Sequence, residues 1–134
     1  MIPPKHLLWL IVLGLALFAP DVSAAPFLLQ PGYSLTRVAK GAVALDGLVV
    51  GDDGFVYVTD YGTGQLLRAD QNATDSAFQV LASGLANPTD VARAPDGRLF
   101  VTESATGRLT EVTSGGDKST LGVGFDTGTS VDFF

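Results

Sequence analysis

Residues 53–70 (DGFVYVTDYGTGQLLRAD) and 96–113 (DGRLFVTESATGRLTEVT) are copies of one another at an offset of 43 residues, and that period decides most of what the chain can become. Seven of these eighteen positions are identical: Asp53/Asp96, Gly54/Gly97, Val58/Val101, Thr59/Thr102, Thr63/Thr106, Gly64/Gly107 and Leu66/Leu109. Val56/Leu99, Tyr57/Phe100 and Asp60/Glu103 are conservative exchanges. A repeat of that length is one supersecondary unit that cannot bury its own apolar face, so successive copies must stack.

Each copy reads as four short strands separated by turns. Residues 46–50, 55–59, 65–69 and 78–82 form the first set, and 90–94, 99–102, 108–112 and 118–123 the second. Asp53-Gly54 and Asp96-Gly97 stand between apolar runs, which predicts hairpins closed by type I′ turns, with positive φ at both central residues. The second strands (FVYVT and LFVT) are apolar on both faces, as suits a sheet held between two neighbours. The fold class is therefore all-β: antiparallel four-stranded blades of a partial β-propeller. The predicted divisions are a lead-in over 25–42 with an orphan outer strand at 33–39, a first blade over 43–85, a second over 86–123, and the start of a third over 124–134. Gly124-Phe125-Asp126-Thr127-Gly128-Thr129-Ser130-Val131 matches Gly84-Leu85-Ala86-Asn87-Pro88-Thr89-Asp90-Val91, three residues early. Even a four-bladed ring needs roughly 170 residues at this period. The expectation is that the chain is a piece of a longer protein, or that copies self-associate to complete a ring.

The first 24 residues stand apart. Lys5 and His6 precede an unbroken apolar run over 7–19 (LLWLIVLGLALFA), and Val22-Ser23-Ala24 supplies small residues at a cleavage site. This is the pattern of a secretory signal peptide, a short apolar helix cut after Ala24. The apolar run spans about 20 Å, short of the ~30 Å hydrocarbon core, so no stable membrane anchor is expected after cleavage. The predicted location is secreted or periplasmic.

Cleavage carries away the single His, Trp and Met, and the chain has no Cys. The net charge stays at −6, which excludes the clustered positive charge that nucleic acid needs. Serine or cysteine nucleophiles have no histidine base, and zinc has no His or Cys ligands. No glycine-rich phosphate loop with its lysine is present. Any metal is a hard ion on oxygen ligands, such as calcium.

The run Gly84-Leu85-Ala86-Asn87-Pro88-Thr89-Asp90-Val91-Ala92, with Pro95-Asp96-Gly97-Arg98-Leu99-Phe100-Val101-Thr102-Glu103, resembles the repeats of SMP-30/gluconolactonase-like and NHL-repeat propellers. Those families read "GL-x-x-P-x-G-[IL]-A" and "PDG-x-LYVA-[DE]", and the resemblance covers residues 33–134. It implies a six-bladed superfamily. In its gluconolactonase-type members it also implies a central divalent ion held by Glu, Asn and Asp. Leu45-Asp46-Gly47-Leu48 is similar to the family's "P-D-G-[LM]" step, which makes Asp46 the candidate metal ligand and general base. An Asp-Gly turn at a strand start explains the same residue without chemistry. Thr89 stands at the equivalent place of the next copy, and the remaining ligand segments have no counterpart.

Two further motifs bear on function. Phe125-Asp126-Thr127-Gly128-Thr129-Ser130 resembles the signature of pepsin-like aspartic proteases, which need a second such carboxylate. With one motif per chain, Asp126 could serve only in a symmetric dimer. Asn72-Ala73-Thr74 is a glycosylation sequon and marks a surface loop. Two functional readings result: an exported propeller module binding a small molecule or protein at its ring face, or a truncated metal-dependent lactonase or similar hydrolase.

Overall fold

The computed structural model describes residues 31–126 and 130–132, so the predicted signal peptide lies outside the described residues. The chain divides into two compact units, Met1–Leu35 and Thr36–Phe134. Of the first, residues 31–35 are described: a Pro31-Gly32 turn followed by an exposed stretch without strand structure.

The second unit is all-β. Its strands are β1 (Ala39–Lys40), β2 (Leu45–Val50), β3 (Phe55–Asp60), β4 (Gln65–Asp70), β5 (Ser76–Ala77), β6 (Gln79–Ala82), β7 (Pro88–Arg93), β8 (Leu99–Glu103), β9 (Arg108–Val112) and β10 (Lys118–Val123). They form two four-stranded sheets, β2-β3-β4-β6 and β7-β8-β9-β10, plus a two-stranded β1-β5 bridge. The two sheets are antiparallel blades, each wound in chain order from an inner to an outer strand.

The 43-residue period holds pair by pair. Leu45↔Asp60, Leu48↔Val58 and Val49↔Tyr57 recur as Pro88↔Glu103, Val91↔Val101 and Ala92↔Phe100, and both ladders carry a bulge in the same place. At the outer edge the offset drops, with Leu66↔Ala82 recurring as Leu109↔Gly122. The connector of the second blade is three residues shorter, which is why the third copy begins early.

The core lies between the blades. Tyr57, Leu66 and Ala82 of the first meet Val91, Leu99, Val101 and Val112 of the second, with Leu85 in the linker. Burying a side chain such as Leu66, Leu99 or Val101 contributes about 1.5–3 kcal/mol relative to exposure. The dual-face apolar pattern of the second strands is explained by β8, all of whose residues are buried.

Three expectations need correction. The hairpins at the Asp-Gly pairs form, but not as type I′ turns. Gly54 and Gly97 have φ of 88° and 90°, while neither Asp53 nor Asp96 has positive φ. Gly97 N–H bonds Ala94 C=O at 2.9 Å inside an Ala94–Arg98 closing pair. That is a three-residue loop ending in a left-handed glycine, the form that admits Pro95, whose ring forbids positive φ. Second, the orphan strand at 33–39 shrinks to β1, which pairs in parallel with β5, inside what reads as a polar loop. An outer strand takes its ladder antiparallel from the third strand of its own blade; here the backbone bonds of Arg37 and Val38 run into the β5 segment, their carbonyls accepting the N–H of Asp75 (2.8 Å) and Ser76 (3.1 Å). Third, β7 begins at Pro88 rather than at residue 90, because a strand's first residue can spare its N–H.

Candidate functional site

The inner strands β2 and β7 start at the same end of the structure where β3 and β8 finish. The segments leading into them are fixed by acidic residues. The Asp60 carboxylate accepts N–H bonds from Val43 (2.8 Å), Ala44 (3.0 Å) and Gly62 (3.1 Å). At the matching place Glu103 accepts the N–H of Ala86 at 2.5 Å and the hydroxyl of Thr110, with Arg108 Nη2 at 3.5 Å. Both carboxylates are buried. Burial pushes Asp60 up, but the bonds from Val43, Ala44 and Thr63 outweigh it and hold the carboxyl below its ordinary range. The acid that ends each second strand is therefore a latch for the start of the first strand, with its lone pairs already engaged.

Around these latches sit groups that face solvent. Asp46 is exposed on β2, within the bulge. Its counterpart Thr89 is half-buried, and its hydroxyl lies 3.0 Å from that of Thr102. Asn87 has φ of 53°, a left-handed conformation that asparagine adopts more readily than most residues. Its carbonyl accepts the N–H and hydroxyl of Ser104, both at 3.0 Å, and its amide donates to the Tyr61 hydroxyl at 3.0 Å. Tyr61 belongs to the first blade and Asn87 leads into the second, so this contact crosses between blades.

The inner edge repeats from blade to blade. A side chain at Gly47 would place its Cβ 2.5 Å from Asp90 Cα, so Asp90 sits directly against it. In turn the Asp90 carboxylate accepts the Ser130 hydroxyl (2.5 Å) and the Val131 N–H (3.0 Å). Gly47, Asp90 and Ser130 are equivalent positions of three successive copies. Likewise Phe125 N–H bonds Gly107 C=O at 3.1 Å as Leu85 N–H bonds Gly64 C=O at 3.0 Å.

The opposite end carries a charged contact between blades. Arg93 of β7 reaches the Asp52 carboxylate, and its Nη2 lies 3.3 Å from Asp53 Oδ2. Asp53 also caps its turn by accepting Phe55 N–H (3.2 Å) and takes the Tyr57 hydroxyl at 2.7 Å. Burial and the bond to Asp53 push the Tyr57 phenol up to about 12.

Among the candidates read from sequence, Asp46 lies at the start of the inner strand β2. Among the described residues no three His, Cys, Asp or Glu side chains converge as a metal site. Asp126 is exposed in the linker after β10, and residues 127–129 of its motif lie outside the described residues. Asn72 is exposed on the turn after β4, its N–H bonded to Asp70 Oδ1 at 2.8 Å. The latch role of Asp60 and Glu103, the Arg93 clamp and the Tyr61–Asn87 contact were not legible. The one signal for the latches was the Asp60/Glu103 exchange at the 43-residue offset.

No family profile matches the sequence, and no curated protein does. A solved structure does: a luciferin-regenerating enzyme, at TM-score 0.53 and 17% identity, over 66% of this chain. The chain covers 33% of that structure's length. At that identity the likeness concerns the fold alone, and it agrees with blades of a β-propeller.

Proposed function

We propose that this chain is an exported propeller module that binds a small-molecule or protein ligand at the end where its inner strands begin. The observation that carries the reading is the pair of carboxylate latches. Asp60 and Glu103 fix the segments at 43–44 and 86, while Asp46, Tyr61, Asn87 and Ser104 are displayed around them. Loops held by a rigid sheet are the usual carriers of binding groups, and a left-handed asparagine at such a place is the kind of backbone outlier that accompanies binding sites. Export rests on the N-terminal pattern and is checked by N-terminal sequencing of the recovered protein, which should start at Ala25. The binding reading is tested by amide chemical-shift mapping with a fragment library of sugar acids, lactones and short peptides. Shifts clustering at 43–47, 60–64, 86–90 and 103–107 support it. Shifts confined to the 52–54 and 95–97 turns, or none at all, sink it.

A second reading is a truncated metal-dependent lactonase or similar hydrolase with Asp46 as metal ligand and base. The exposed position of Asp46 at the inner strand favours it; the hydroxyl pairing of Thr89 with Thr102 speaks against it. Calcium titration by calorimetry on wild type and Asp46→Ala separates the two: equal heats, or no heat in either, remove the hydrolase reading. The Asp126 motif carries a third, remote reading as a protease dimer, which a pepstatin-sensitive casein digestion at acid pH would support.

A further inference from the structure

The two blades provide an internal control for one another. In β7 the positions that face the first blade are covered: Pro88 is fully buried, Val91 is 3% exposed and the Arg93 side chain 13%. Their equivalents in β2 are Leu45, Leu48 and Val50, which are 53%, 60% and 58% exposed. This face of the first blade has the chemistry of a blade-to-blade contact and lies open, more apolar than solvent contact calls for.

We propose that this face binds the second blade of another copy of this chain, so that copies associate head to tail as the blades do within one chain. The charge on the second blade's turn fits it for the role. Within the chain Arg93 answers the Asp52-Asp53 turn. Between copies the inner strand offers Val50 in place of Arg93, and the turn offers Pro95 and Asp96 in place of the acidic pair. Asp96 is already engaged by its own Arg98, Nε to Oδ2 at 2.8 Å, so it requires no arginine from a neighbour. The first blade's own turn, with two carboxylates, would instead set charge against Val50. Ser130 and Val131 now occupy Asp90 and would yield to β2 of the second copy, exchanging two hydrogen bonds for burial of Leu45, Leu48 and Val50. Such a contact is heterologous, and it extends until the rotation closes a ring.

The chain has no cysteine, so single cysteines report contacts cleanly. Val50→Cys and Pro95→Cys chains, one bearing a mass tag, are purified after export, mixed and treated with a short bis-maleimide. The expected product is a crosslinked species containing one chain of each kind, absent when Leu48→Asp is added to the Val50→Cys chain. Light scattering of the wild type should show a mass above one chain that rises with concentration. Circular dichroism matching the wild type certifies each variant as folded; should Val50→Cys fail this, Leu45→Cys replaces it. A wild type with the mass of one chain at all concentrations overturns the proposal. So does the absence of mixed crosslinks between folded variants, or crosslinking of Val50→Cys chains with each other alone, which would mean back-to-back pairing.

Discussion

The Asp60 carboxylate accepts the backbone N–H of Val43 at 2.8 Å across 17 residues of chain, tying the end of β3 to the segment that starts β2. The second blade repeats this with Glu103 and Ala86, again 17 residues apart. Two backbone donors next to an apolar core would otherwise face a costly loss of partners. Asp60→Ala is therefore expected to lower stability by about 2–4 kcal/mol in urea unfolding, with Asp60→Asn losing less because an amide oxygen still accepts. A loss no greater than that of Asp70→Ala, at an exposed strand end, would remove the latch.

The same latch sets the acid limb of stability. The folded Asp60 carboxyl is held below its unfolded value of 3.8. Its contribution is thus full above that value and is lost as the pH falls through the folded one. Asp53, Asp75 and Asp96 shift in the same direction, the last two at the surface where salt screens their partners. Urea midpoints should hold steady toward pH 5 and drop below about pH 4. Asp60→Asn should flatten that limb; an unchanged slope would assign it to other carboxyls.

At the alkaline side Tyr57 acts with the opposite sign. Its phenol is pushed up to about 12 from an ordinary 10.0, so the fold favours the neutral form. Its contribution is complete below pH 10 and is lost as pH rises through the folded value, by up to about 3 kcal/mol. Near-ultraviolet phenolate titration should show a late component that disappears in Tyr57→Phe. A titration completed in a single early step in the wild type would contradict the buried bond to Asp53.

Much of the architecture was legible because a repeat encodes itself twice. Asp53/Asp96, Val58/Val101 and Leu66/Leu109 fixed the period, and the period fixed strands, blade order and core face. Gly54 and Gly97 marked the hairpins, but the turn type depended on Pro95, whose ring rules out positive φ at the loop's first residue. What escaped were relations between copies or across them. The bond from Asp60 to Val43 spans 17 residues with no local pattern, and Arg93 has Val50 as its equivalent, so the repeat itself concealed the contact with Asp52.

That contact yields a further expectation. The Arg93 side chain is largely buried, while its partner Asp52 is open to water, and Arg93 Nε has no hydrogen-bond partner. Part of its value is then the packing of its methylene stem rather than charge. Asp52→Ala should change stability by less than about 1 kcal/mol, Arg93→Ala by about 2, and Arg93→Met should recover most of the difference. Equal effects of Asp52→Ala and Arg93→Ala would mean the ion pair dominates instead.

Gly47 and Gly54 separate two reasons for glycine. Gly54 has φ of 88° with open space around it, so alanine there meets only backbone strain, about 1–2 kcal/mol. Gly47 is different: its φ is not positive, yet a Cβ would stand 2.5 Å from Asp90 Cα and 2.9 Å from Thr89 C=O, both backbone atoms of the next blade. Neither can move without shifting β7, whose Val91 sits in the core. Gly47→Ala should cost about 3 kcal/mol or more by forcing the blades apart. Because the defect is at the junction, hydrogen exchange should accelerate in β7 and β2 more than in the outer strands β6 and β10. Uniform acceleration, or a cost equal to that of Gly54→Ala, would show that the blades are not held at this point.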